Sequence, residues 1–99
     1  MSIVNSIAIP KDTWVKVASG VSSGNVFLQT PVMSDNTSKS MRLTWTYYID
    51  SRAAGSAAPT TLATAMNANV EVSHIIKDSA SIDVYVYCKG LNGRCRVET

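Results

Sequence analysis

From Met41 to Asp50 the chain alternates with a period of two. Met41, Leu43, Trp45, Tyr47 and Ile49 share one parity, and Arg42, Thr44, Thr46, Tyr48 and Asp50 share the other. Only an extended strand sends successive side chains to opposite faces, so this run predicts a strand with a large apolar face turned to a core. A second alternation covers Ser81 to Lys89, with Ile82, Val84, Val86 and Cys88 on one parity and Asp83, Tyr85, Tyr87 and Lys89 on the other. Two such runs confine the chain to a β architecture.

The remaining segments carry the punctuation of short antiparallel strands. Ile3, Ile7 and Ile9 line one strand face, and Pro10 ends that run because it has no N–H for a ladder. Thr13–Ala18 and Asn25–Thr30 read as two strands of a hairpin joined across Gly20 to Gly24. Ser34 to Ser38 is a polar turn, Val70–Ile76 a strand, and Lys77–Ala80 a turn into the second alternation. Gly90, Leu91, Asn92 and Gly93 then reverse the chain into Arg94–Glu98, which predicts a C-terminal hairpin. Ser51 to Met66 is rich in alanine and interrupted by Gly55 and Pro59, so it reads as a long loop, with one helical turn after Thr60 or Thr61 as an option. The expected fold is all-β: a small antiparallel β-sandwich or partly open barrel of six to seven strands with one long Ala-rich loop, forming a single domain over residues 1–99.

Composition narrows function by exclusion. Ninety-nine residues suffice for one compact domain and exclude a multidomain enzyme. With 45% hydrophobic and only 16% charged residues, the chain buries enough surface to fold. A net charge of +2 falls short of the dense basic face of a dedicated nucleic-acid binder. No stretch approaches the roughly 18 to 20 apolar residues of a membrane span, and Met1 to Pro10 lacks the basic start of a signal peptide, so a soluble product of a reducing cytoplasm is expected. There is no Gly-x-Ser-x-Gly elbow, no phosphate-cradling glycine loop and no Cys-x-x-Cys pair, and His74 is the only histidine and reads as an ordinary strand residue. No enzymatic activity, metal or cofactor is expected.

In the expected C-terminal hairpin, either register puts Cys88, Cys95 and Val97 on the apolar face with Ile82, Val84 and Val86. Cys88 and Cys95 are therefore buried thiols or the two ends of a cross-strand disulfide. The opposite face gathers Tyr85, Tyr87 and Lys89 beside Arg94 and Arg96, with Asp83 and Glu98. Stacked tyrosines and arginines either cover a solvated sheet face or form a protein interface, where rigid rings and planar guanidiniums supply contact area at low entropic cost. Single-stranded nucleic acid would stack on the same rings, but Asp83 and Glu98 oppose phosphate there. Trp45 and Tyr47 share the core parity, whereas Trp14 and Tyr48 remain open as a sugar-stacking surface.

Several segments together carry a resemblance: the opening Thr13, Trp14, Val15, Lys16, Val17 run, the Gly24, Asn25, Val26, Phe27, Leu28, Gln29 strand, the Ala- and Pro-containing loop, and Ile82 to Tyr87 with Arg96, Val97 and Glu98. In these the chain resembles small β-domain virion proteins of tailed bacteriophages, the capsid decoration or cement class and related head and tail attachment domains. The resemblance implies a non-enzymatic shell component of the virion, assembled in the host bacterial cytoplasm. Its implied partners are the phage major capsid protein or other virion subunits and further copies of itself, with no membrane. The alternative is a carbohydrate- or receptor-binding module of a phage tail or head fibre.

Overall fold

The computed structural model of the chain describes residues 3–29, 46–61, 66–68 and 73–99. These form six strands: β1 (Ile3–Ile9), β2 (Trp14–Gln29), β3 (Thr46–Ala53), β4 (Met66–Ala68), β5 (Ser73–Lys89) and β6 (Gly93–Glu98). All belong to one antiparallel sheet in the order β1-β6-β2-β5-β3-β4, which does not close into a barrel. No helix occurs among the described residues.

Two strands of 16 and 17 residues, β2 and β5, form the spine. Their register slips repeatedly between Lys16 and Ser23, and these bulges fold the long ribbon over on itself. One layer holds the first half of β2 and the second half of β5, with β3 and β4 beside them. The other holds the second half of β2 and the first half of β5, with β6 and β1 beside them. The inward residues form one core, with Tyr47, Ile49, Val84, Val86 and Cys88 from the first layer meeting Ile9, Val26, Leu28, Cys95 and Val97 from the second.

Tyr47 ties the layers together. Its hydroxyl donates to the Gln29 carbonyl at 2.6 Å, with the Arg94 carbonyl also in reach at 3.1 Å, and accepts from the Arg94 N–H at 3.0 Å. Gly93 leaves room for it, since a Cβ there would stand 2.5 Å from that hydroxyl. At the same end Lys11 bridges Cys88, the register partner of Tyr47, and the Asp12 N–H donates to the Cys88 carbonyl at 2.9 Å.

The structure corrects three connections. Gly20 to Gly24 is no hairpin loop: Gly20 (φ 62°) and Gly24 (φ 145°) bend a single strand that pairs with β5 on both sides of the bend. A Cβ at Gly24 would lie 2.3 Å from the Glu98 carbonyl oxygen, so glycine admits the close approach of β2 to β6 at the fold. Lys77 to Ala80 is likewise strand rather than turn, because β5 bends in step with β2. The expected C-terminal hairpin is absent: after Gly90 to Asn92 the chain crosses to the other layer, and β6 pairs with β1 and β2 instead of β5. The alternation through Tyr47 and Ile49 holds, while Met41 to Trp45 lie outside the described residues.

Of the Ala-rich loop, Ser51 to Ala53 belong to β3 and the chain turns at Ala54 and Gly55. Beyond the turn, Arg52 Nη1 donates to the Ala57 carbonyl at 3.2 Å and Pro59 is buried. The optional helical turn falls on residues of which 62–65 lie outside the description.

Candidate functional site

On the outside of the first layer, antiparallel register sets three aromatic residues in a row across adjacent strands. Trp14 of β2 pairs with Tyr87 of β5, and Tyr87 pairs with Tyr48 of β3. The Trp14 and Tyr87 rings are 5.2 Å apart and tilted by 53°, and Tyr48 meets Tyr87 edge to face at 6.2 Å and 74°. Each has the parity opposite to its core-facing neighbours Val15, Tyr47 and Val86, which is why all three point outward and remain half-buried. Burial, then the nearby Asp12 carboxylate and Tyr48, raise the Tyr87 phenol above its ordinary pKa, so it stays a neutral hydroxyl.

A charged row runs alongside. Lys16 lies 5.7 Å from the centre of the Tyr85 ring and 3.4 Å from Asp83 Oδ2, and Arg52 pairs with Asp50 at 3.2 Å. Asp83 is 1% exposed, yet its carboxylate accepts the Gly20 N–H at 2.9 Å and the Gly55 N–H at 3.0 Å. Those backbone donors, then Lys16, hold its carboxyl below the usual range against the opposing effect of burial. Asp83 in turn raises Lys16 above the ordinary lysine value. The carboxylate thus clamps the bend in β2 and the turn after β3 to the strand between them.

The expected Tyr and Arg face is divided. Tyr85, Tyr87 and Lys89 lie on the outside of the first layer, with Tyr85 only 4% exposed next to Lys16 and with Lys89 exposed at the end of β5. Arg94 and Arg96 lie on the outside of the second layer, because β6 joined β1 and β2. There Arg96 sits 5.7 Å from the Phe27 ring and pairs with Glu98, while Arg94 is exposed. Cys88 and Cys95 are free thiols, fully buried in the core. Burial raises both thiols, Cys95 to about 12, which removes the thiolate and with it their nucleophilicity.

His74 belongs to β5, in register with Val26. Among the described residues no three His, Cys, Asp or Glu side chains gather as metal ligands would. An open cleft of about 310 Å³ lies at the corner lined by Ala8, Ile9, Pro10, Asn92 and Gly93, and none of these titrates.

The sequence leaves Trp14 and Tyr48 open as surface residues, but the row itself depends on register between strands far apart in the chain. Tyr87 is the residue that joins them. The site offers rigid amphipathic contact area flanked by neutralised ion pairs, which suits binding. Compared with known proteins, the chain matches no family model, no curated protein and no solved structure.

Proposed function

We propose that the chain is a non-enzymatic structural subunit of a bacteriophage virion, a capsid decoration or cement protein that stabilises the shell through contacts with other subunits. The observation that carries the reading is the outward row Trp14, Tyr87 and Tyr48 across adjacent strands of one sheet face. Tyr and Trp are the residues in which interface energy concentrates, since large rigid rings lose little entropy on contact. Asp50 and Asp83 pair with Arg52 and Lys16 beside the row, so docking there strands no buried charge among these groups.

Repetition on a symmetric shell lets a modest contact suffice, because a neighbour already in place raises the effective concentration of the next. The same rings are the material of a carbohydrate-binding surface, the second reading. Their mutual tilts of 53° and 74° disfavour the flat platform on which a sugar ring stacks.

The test is incorporation. Particles assembled with the wild-type chain are expected to hold it in many copies by quantitative mass spectrometry. Particles assembled with Trp14→Ala/Tyr87→Ala are expected to lose it, while circular dichroism shows the variant folded. Absence of the wild-type chain from particles, or normal occupancy by the folded variant, overturns the proposal; a saturable Trp fluorescence change with sugars instead moves it to the glycan reading.

A further inference from the structure

The two outward faces differ in chemistry and lie on opposite sides of the folded sheet. One carries the aromatic row of Trp14, Tyr87 and Tyr48, with Asp12 beside it, its N–H bonded to the carbonyl of Cys88, the residue after Tyr87. The other carries the exposed Arg94, next to a guanidinium, that of Arg96, already placed over the Phe27 ring. A guanidinium over aromatic faces is attracted by their quadrupoles, the more so when the contact excludes water. The chain uses this pairing within itself at Arg96 and Phe27 and at Lys16 and Tyr85.

We infer that the aromatic row receives Arg94 of a second copy of this chain, so that copies associate head to tail. This rests on the proposed role as a subunit of a repeating assembly and names the partner of the row. The complementarity favours this occupant over a symmetric pairing of the two Arg94 faces, because Arg94 against Arg94 repels. Lys89, two residues beyond Tyr87 on the same side of β5, opposes an incoming cation. Asp12, held by the Gly90 N–H at 3.2 Å, offsets it. A contact between different patches on opposite sides is heterologous, so each copy keeps one free half of the contact and the association propagates or closes into a ring.

Propagation makes the inference testable by mixing. Purified wild-type chain is expected to show a mass by light scattering that rises with concentration beyond the dimer. Arg94→Ala, which removes an exposed side chain, and Trp14→Ala each lose one half of the contact and are expected to associate about tenfold more weakly. Mixed in equal amounts, they retain one complementary pair of halves and should form a heterodimer that grows no further. Circular dichroism checks each variant, and Tyr48→Ala replaces Trp14→Ala if the latter unfolds. A wild-type chain that stays monomeric at millimolar concentration, single variants that associate like wild type, or a mixture that gives no heterodimer overturns the inference. A wild-type chain that fails to self-associate but still enters particles refutes this contact alone and leaves the virion role standing.

Discussion

Tyr47→Phe removes one oxygen from the interior and tests how the two layers are held. Tyr47 has no exposed surface, and its hydroxyl reaches the Gln29 carbonyl at 2.6 Å and the Arg94 N–H at 3.0 Å on the facing layer. A net hydrogen bond contributes about 0.5–1.5 kcal/mol, and a buried group left without its partner costs about 1–3 kcal/mol. Phenylalanine keeps the ring's packing, so the loss is confined to these polar contacts, and about 2–3 kcal/mol is expected. For a domain of 99 residues that lowers Tm by about 10–15 °C. Urea unfolding should show a lower midpoint at unchanged slope. A loss under about 0.5 kcal/mol would refute the bridge, because no stranded buried donor is that cheap.

The same hydroxyl gives an alkaline signature. Burial pushes Tyr47 up to about 12, so the fold favours the neutral phenol. Its contribution is complete below the unfolded value near 10 and is lost as pH rises through about 12. Cys95, also pushed to about 12, loses its contribution from about 9 upward in the same direction. Tyr47→Phe should make the stability profile less steep above pH 10, where Cys95 still contributes, and leave the slope between about 9 and 10, which belongs to the thiols.

Three further outcomes are expected. Gly93→Ala sets a Cβ 2.5 Å from the Tyr47 hydroxyl and 2.8 Å from its ring, and should cost about 1–3 kcal/mol in urea unfolding; the cost should shrink in the Tyr47→Phe background, since the nearest clash is then removed. Cys88 and Cys95 should resist iodoacetamide in the native protein at pH 8 and both react in urea, as counted by mass spectrometry; rapid native labelling would contradict their burial. The lowered carboxyl of Asp83 gives stability that is present above the unfolded value near 3.8 and lost as pH falls below it, so Asp83→Asn should be less stable than wild type at neutral pH and lose less on acidification.

Patterning within one strand was legible, and pairing between strands was not. The parity of Ile82, Val84, Val86 and Cys88 predicts their inward face, and Tyr47 and Ile49 follow the same logic. Cys95 and Val97 also face the core as expected, although β6 has other neighbours than the expected hairpin provides. Gly20 to Gly24 shows why topology escapes such reasoning. Glycines with positive φ serve a reversal and a bulged bend equally well, and long-range pairing of β2 with β5 decides between them. That decision carried Arg94 and Arg96 away from Tyr85 and Tyr87. It also brought Trp14 beside Tyr87, a contact between residues more than seventy positions apart, for which no local signal exists.

The central claim is that the face bearing Trp14, Tyr87 and Tyr48 is the one that meets other subunits. A cryo-electron microscopy reconstruction of particles carrying the chain tests it most directly. The account predicts continuous density from a neighbouring subunit over those three rings. Particles in which that row faces solvent, with every contact made elsewhere on the sheet, would contradict it.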